Sequence, residues 1–382
     1  MSDLLSLSPF DPASEPRIVI IADWLPPDFG AVGQYMLMRA RSFAERGHQV
    51  TLIGLTAGRG SRRSARLGPG TLTETRLSAQ PVPRASLPRR LLWTIWTDMR
   101  LVSAAFGPMR RADGILFTGS PPFLIHFLAP LKRLWRGRLV YRITDFHPEC
   151  LIAARERSSL MLRALLRLTN FWRRRVDGFE VLGDDQYRRL EATGVAAERI
   201  ALVRDGSPID FAVDAPADPL PAELAGHCVL LYAGNYGIAH EVETVAEGYR
   251  LHHRRGSGRV RLWLSASGAG AEALVGRFTD DRLPFHSTPP VPLERLPGLL
   301  RSPDGHLVTL KDRFVGFVMP SKIYGCLASK RPLIFVGSEE SDVDMLARRS
   351  HLPYWRVACA DAAGFAAALE RFADWIEKDD AA

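Results

Sequence analysis

The chain has 382 residues, 46% hydrophobic and 24% charged, which suits two globular domains and excludes a disordered or fibrous chain. Its net charge of +8 is uneven: residues 1–200 hold 30 Lys and Arg against 18 Asp and Glu, a balance of +12, and the remainder balances to −4. A basic half of this kind suits an anionic partner, the plain alternative being a compositional preference for arginine.

Four cysteines, Cys150, Cys228, Cys326 and Cys359, lie far apart with no C-x-x-C, so reduced thiols are expected rather than a zinc site or disulfide framework. The first 16 residues read as a flexible tail, lacking the basic and apolar regions of a signal peptide. No stretch of about 18 uncharged apolar residues predicts a spanning helix, so the expected location is the cytoplasm.

Residues 17–23 (RIVIIAD) predict a buried strand, WLPPDFGAVG a loop, 33–46 a helix stopped by Gly47, and 49–55 a second strand, together a βαβ unit. Residues 57–70, rich in Gly, Arg and Ser, predict a mobile loop. Residues 87–111 and 155–175 mix Arg with Trp, Leu and Phe at helical spacing, compatible with an interfacial membrane surface or with a core-facing stripe. Between and after them lie strands GILFTGS, RLVYRITD and GFEVLG, with RIALVRDGSPID closing the half.

The alternation restarts at 211 after a Pro/Ala-rich linker. Strands HCVLLYAG, RVRLWLSASG, HLVTL and RPLIFVG alternate with helices, the first of which ends in His252, His253, Arg254 and Arg255 and reads as solvated there. Strand–helix alternation implies parallel sheets covered on both faces. The expected domains are 17–210 and 211–360, with a helix in 361–382 packing back on the first domain.

Ligands of open parallel sheets bind beyond the carboxyl ends of the strands. In the first half Asp28, Gly30, Ala31 and Gly33 form the loop there, opening onto a helix whose positive end suits a phosphate or carboxylate. In the second half Gly234, Asn235, Tyr236 and Gly237 form the matching turn, short of a full G-x-G-x-x-G. Asp145, His147 and Glu149 follow strand VYRIT, where a carboxylate can orient or deprotonate a hydroxyl. The D-x-D of Asp342 and Asp344 opens a helix and reads as helix-start chemistry, so no metal is expected.

LPPDFGAVGQYMLMRARSFAERGHQVTLIG resembles the opening of retaining glycosyltransferases of family 4, and TGSPPFL, TDFHPE, VRDGSPID, YAGNYGIAHEVET and MPSKIYGCLASKRPLIFVG resemble further segments of its surface-polysaccharide and O-antigen, deoxy-aminosugar subgroup in the same order. The resemblance implies the GT-B fold, two Rossmann-like α/β domains facing each other across a cleft. It implies transfer with retention from a nucleotide-diphosphate sugar to a glycan or lipid-linked acceptor, with peripheral contact at the inner face of the cell membrane. It assigns the donor diphosphate to Gly234–Gly237 with Ser321 and Lys322, the acceptor or phosphate loop to Asp28–Gly33 with Ser120, and catalytic roles to Asp145, His147 and Glu149. The family's Glu-x7-Glu pair is missing, with Phe317 and Gly325 in its places and Lys330 replacing a glycine.

Developing charge on the leaving phosphate calls for donors aimed at it, which the turn and Lys322 supply without a metal or other cofactor. Two other readings stand beside this one. A nucleotide-sugar 2-epimerase needs acidic residues and a His that are absent from the C-terminal part, and a non-catalytic GT-B-like binding protein accords with the missing Glu pair. No stacking platform or recognised motif points to nucleic acid.

Overall fold

The computed structural model describes residues 16–28, 30–80, 87–155, 159–207, 209 and 216–380. Most of the expected tail, the start of the expected linker at 211–215, and Phe29 within the first loop lie outside them. The chain divides into two compact units, between Arg204 and Asp205, close to the expected boundary.

The first unit runs β1 (Arg17–Trp24), α1 (Ala31–Glu45), β2 (Gln49–Thr56), β3 (Ser61–Leu67), β4 (Gly70–Ser78), α2 (Leu87–Met109), β5 (Gly114–Thr118), α3 (Ile125–Leu131), β6 (Arg138–Ile143), α4 (Glu149–Ala153), α5 (Leu160–Arg173), β7 (Gly178–Val181), α6 (Asp184–Glu191) and β8 (Ile200–Leu202). Its sheet has the order β3-β4-β2-β1-β5-β6-β7-β8. All the pairs are parallel except β3 with β4. The central strands are continuous apolar runs because helices cover both faces. α1 packs Met36, Ala40 and Phe43 on Ile18, Ile20 and Leu52.

The expected mobile loop at 57–70 is instead largely β3, an edge strand. Its Ser and Arg side chains face solvent, and charge on an edge blocks further strand pairing, so the composition that reads as a loop is edge-strand chemistry.

The second unit runs β9 (Cys228–Asn235), α7 (Glu243–Arg255), β10 (Val260–Ser267), α8 (Ala269–Asp280), β11 (Phe285–Thr288), α9 (Leu296–Arg301), β12 (Gly305–Thr309), α10 (Lys322–Ala328), β13 (Leu333–Val336), α11 (Asp342–Arg349), β14 (Tyr354–Val357) and α12 (Ala362–Asp380). Its parallel order is β11-β10-β9-β12-β13-β14, a doubly wound sheet. α12, expected to pack back on the first domain, builds this unit's own core: Phe365, Leu369 and Phe372 pack with Tyr249, Val260 and Leu262. Gly248 permits the close approach, since a Cβ there would lie 2.6 Å from the Ala362 carbonyl oxygen.

His252, expected on a solvated helix end, is fully buried. Its Nε2 accepts from the Val260 N–H at 3.1 Å, so Nδ1 carries the proton and donates to Glu370 at 2.6 Å. The helix-start reading of Asp342 and Asp344 matches the local bonding: Ser341 caps α11, and Asp344 is held by Arg348 at 2.7 Å and Tyr354 at 2.6 Å.

One buried group stands apart. α2 turns Asp98 inward beside Leu101, Val102 and Ala105, and neither carboxyl oxygen has a partner among the described residues. Burial pushes this carboxyl up to about 9, so the folded chain keeps its proton where the unfolded chain has lost it. A raised folded-state pKa contributes stability that is present below the unfolded value near 4 and lost as pH rises toward 9. Asp98→Asn should therefore gain on the wild type by roughly 1.4 kcal/mol per pH unit as pH rises from 5 to 9, about 5 kcal/mol in all, measured by urea unfolding across that range.

Candidate functional site

The strand order reverses between β1 and β5 in the first unit and between β9 and β12 in the second, and the carboxyl ends at these points hold most of the expected residues.

In the first unit, β1 ends beside Asp23, β5 runs into Ser120, and β6 runs into Thr144, Asp145 and His147. The Thr118 hydroxyl donates to the Ser120 carbonyl at 2.6 Å, and the Ser120 hydroxyl donates to Asp23 Oδ2 at 2.7 Å. Asp23 Oδ1 has no partner among the described residues. Burial pushes Asp23 up to about 7; the Ser120 hydroxyl and the backbone N–H groups of Asp23 and Gly33 oppose the rise, and the charge of Asp145 adds to it. Burial raises Asp145 to about 6 and lowers His147 to about 4, so this histidine is neutral. Asp23 was missed in the sequence because it closes RIVIIAD and reads as a strand end.

Glu149 does not join this group as a free carboxylate. Both of its oxygens are engaged by the buried Arg173 of α5, one at 3.1 Å. The same guanidinium donates to the His147 carbonyl at 3.2 Å and to Asn170 at 2.9 Å, and lies over the Phe146 ring. A carboxylate tied in this way orders the loop and is not available to deprotonate a hydroxyl.

The first glycine loop is likewise more structural than its sequence suggests. The Asp28 carboxylate accepts from the Ala57 N–H at 3.2 Å and braces the loop to the end of β2. Gly30 is the N-cap of α1, with extended backbone that other residues adopt, and Ala31 is exposed at the helix start. Gly33 is the position that requires glycine, because a Cβ there would lie 1.8 Å from the Trp24 carbonyl oxygen.

In the second unit, Gly234, next to the end of β9, has φ of 104°, a left-handed conformation that favours glycine, and Asn235, the strand's last residue, is exposed. Tyr236 does not present itself to a phosphate. Its N–H is spent on the Ser267 carbonyl at 2.7 Å, its hydroxyl donates to the Glu241 carbonyl, and its ring is buried against Tyr232 at 4.1 Å. Gly237 lies beyond it in the turn, where a Cβ would lie 3.3 Å from the Asn235 amide nitrogen. The start of α7 is capped by Glu241, whose carboxylate accepts from the Thr244 N–H at 3.0 Å.

The cationic group of this site is Lys322 at the start of α10. Its ammonium donates to the Tyr232 hydroxyl and to the Asn235 carbonyl at 3.1 Å, lies 3.8 Å from the Tyr232 ring centroid, and is 3.5 Å from His240 Nε2. His240 Nδ1 is 2.6 Å from the Thr309 carbonyl and must donate to it, so Nε2 presents a lone pair to the lysine. Burial pushes Lys322 down to about 7. Lys311, just past β12, donates to the Ile238 carbonyl at 3.2 Å and also bears on His240 electrostatically. Neither lysine pairs with a carboxylate among the described residues. Ser321 is the N-cap of α10 and makes no side-chain capping bond. Gly325 is buried in α10, near Leu300, where no carboxylate is offered. His240 and Lys311 went unnoticed in the sequence, since they fall in a turn and after a strand with no spacing to tie them to Lys322.

No family model matches the chain. Residues over a 249-residue stretch are 25% identical to a probable glycosyltransferase, WbjE, of Pseudomonas aeruginosa, covering 62% of this chain and 60% of that protein. The chain thus spans well under two thirds of that relative. Among solved structures it is similar to the catalytic domain of starch synthase IV of Arabidopsis thaliana, bound to ADP and acarbose, with TM-score 0.64, 10% identity and coverage of 94% and 91%. It is similar to WaaG, a glycosyltransferase involved in lipopolysaccharide biosynthesis, with TM-score 0.61, 13% identity and coverage of 94% and 90%. It is also similar to an E. coli trehalose-6-phosphate structure bound with UDP-2-fluoro glucose, with TM-score 0.58, 13% identity and coverage of 93% and 90%. The fold is that of the GT-B glycosyltransferases, two parallel-sheet α/β domains.

The two loop glycines separate cleanly by experiment. Gly33→Ala should cost about 1–3 kcal/mol or more, as overpacking against fixed backbone does. Gly30→Ala, whose Cβ would meet the Trp24 oxygen at 3.4 Å, should stay within about 0.5 kcal/mol of the wild type. Chemical denaturation of the two variants measures the contrast.

Proposed function

We propose that the chain is a glycosyltransferase that moves a sugar from a nucleotide-diphosphate sugar to a hydroxyl of a glycan or lipid-linked glycan. The observation that carries this reading is Lys322, with Lys311 and His240, at the switch point of the second unit: two lysines with no carboxylate partner among the described residues. Breaking the bond from the anomeric carbon to the diphosphate leaves charge on the leaving oxygens, and a preformed ammonium there stabilises the transition state more than the ground state. This reading calls for no metal at that position. The name of the P. aeruginosa relative, and the nucleotide and sugar ligands of the fold neighbours, support the same class.

Acceptor binding is assigned to the first unit. Asp145 is the carboxylate at its switch point without a hydrogen-bond partner among the described residues, and it suits the proton of the attacking hydroxyl. Glu149 and Arg173 position that loop. Retention is the outcome the sequence resemblance implies.

Lys322 gives a pH test. An ammonium held down to about 7 is largely neutral above that pH, and a bound diphosphate restores its charge. Binding then takes up a proton, and affinity falls as pH rises above 7. Calorimetry with UDP, GDP and dTDP between pH 6 and 9 should find the best of the three binding more weakly at high pH. Lys322→Arg should remove that fall, and Lys322→Ala should weaken binding about 10–100-fold.

A lipid-linked acceptor accords with the outer face of the first unit. α2 exposes Leu92, Trp96 and Met99, and α5 exposes Leu160, Met161 and Phe171. Exposed arginines, among them Arg89, Arg90, Arg163 and Arg167, interleave with them. Apolar side chains flanked by arginine suit an anionic bilayer surface, with the apolar part in the acyl boundary. Vesicles rich in phosphatidylglycerol should co-sediment the protein and phosphatidylcholine vesicles should not. The double variant Leu92→Ser, Trp96→Ser should lose about a hundredfold or more in vesicle affinity, since each apolar side chain withdrawn from water is worth about 1.5–3 kcal/mol.

One observation favours a second reading, a GT-B protein that binds nucleotide without turnover: Gly325 leaves α10 without a carboxylate. Nucleotide binding abolished by Lys322→Ala, with no sugar transferred or released by the wild type, would establish it.

A further inference from the structure

Among the described residues five that are not glycine have positive φ: Phe123, Arg282, Lys330, His351 and Ala360. Arg282, Lys330 and His351 each follow the C-cap of a helix, α8, α10 and α11, where a left-handed residue closes the last turn. Ala360 carries no side chain beyond Cβ, and its N–H donates to the Thr244 hydroxyl at 2.8 Å. Phe123 closes no helix. It lies in the link from β5 to α3, with φ of 83°. A bulky side chain in that conformation is an outlier, because Cβ crowds the following carbonyl; glycine fits there without the crowding. The packing recovers only part of the cost. Pro121, Leu124 and Ile125 are buried, but Phe123 itself is only half-buried, with its ring centre 6.0 Å from that of His126.

The link leaves the carboxyl end of β5, at the first unit's switch point. A Cβ on Gly119 within it would lie 3.1 Å from the Asp145 carbonyl oxygen. His126, beside Phe123, is 3.1 Å from the Thr169 hydroxyl of α5 and feels the charge of Arg173, which holds the His147 carbonyl. An accessible apolar ring thus adjoins the loop that carries Asp145 and His147, and backbone strain is kept at such places for the side chain it presents. We propose that Phe123 is the platform for the acceptor's sugar ring, with the C–H face of a pyranose against the phenyl ring and its hydroxyls toward Asp145. This rests on the glycosyltransferase reading above, and it names the acceptor as a glycan ending in a pyranose. Such a sugar has an apolar face and a rim of hydroxyls, and a flat apolar ring beside a carboxyl matches both. The contact is made through the face of the ring, so planarity matters as well as apolar area.

The test follows transfer of radiolabelled sugar from UDP-, GDP- and dTDP-sugars into the chloroform–methanol extract of bacterial membranes, with the extract diluted to give an acceptor KM. Phe123→Ala and Phe123→Gly should both raise that KM about tenfold, the value of one aromatic contact, with kcat and the nucleotide-sugar KM within about twofold of the wild type. Phe123→Tyr should keep the wild-type value, and Phe123→Leu, apolar but not flat, should lose as much as Phe123→Ala. Thermal unfolding reads the strain. Phe123→Gly should melt about 2–4 °C above Phe123→Ala, the reverse of their order within a helix or strand, and it carries the test if Phe123→Ala does not fold. An acceptor KM unmoved in Phe123→Gly would make the ring structural and overturn the proposal. A wild-type KM in Phe123→Leu would overturn it too, by pointing to a lipid chain on the ring in place of a sugar. So would a rise in the nucleotide-sugar KM with the acceptor KM unmoved. A wild type that transfers and releases no sugar from any of the three donors would instead bring down the glycosyltransferase reading, and this proposal with it.

Discussion

A single fully buried guanidinium, that of Arg173, holds the first unit's candidate site in shape. It reaches from α5 to both oxygens of Glu149, to the His147 carbonyl and to Asn170, and lies over Phe146. Removing a charge from water costs several kcal/mol, and only a near-complete set of partners offsets it. The arrangement is therefore close to all-or-none: with Glu149 neutral or absent, the arginine would be an unpaired buried cation. That constraint fixes the loop from Asp145 to Glu149 relative to α5 and decides which of its groups are free. Glu149 is consumed. Arg173 makes no hydrogen bond to the side chain of Asp145 or His147 among those described.

A second buried network does the corresponding work on the opposite face. Arg39 of α1 and Arg142 of β6 both pair with Glu180 of β7, the latter at 2.9 Å, and the two arginines hold that carboxylate below its usual range despite burial. Together the two networks tie α1 to β6 and β7, and α5 to the loop after β6.

The overall architecture was legible in the sequence because buried parallel strands write themselves as short apolar runs and the helices between them as 3.6-residue periods. The failures are equally physical. β3 has no buried face, so its arginines and serines carry no strand signal. The apolar stripe of α12 shows that the helix packs on something, but periodicity does not say on what, and the close approach at Gly248 decided it. His252 sits in a run of four basic or titratable residues that reads as solvated, and only the partner, Glu370, more than a hundred residues away, reveals it as core. In the site, the residues legible beforehand were those next to recognisable turns, such as Lys322 and Asp145. Asp23, His240 and Lys311 acquire meaning only when strands remote in sequence are set side by side.

The distribution of charge carries a further lesson about reading function from composition. The half that is +12 by sequence has an acidic switch point, Asp23 with Asp145, while the half that is −4 presents Lys311 and Lys322 at its own. Net charge therefore says little about either site. The arginines that make the first half basic are mostly on its exterior, and those of α2 and α5 stand beside exposed Leu, Met and Trp. Long-range attraction to an anionic surface is set by this exterior charge, which acts over a Debye length of about 8 Å or more. Recognition at the switch points acts at hydrogen-bond distance, where a single unpaired group outweighs the summed field. The two scales need not share a sign, and in this chain they are opposite.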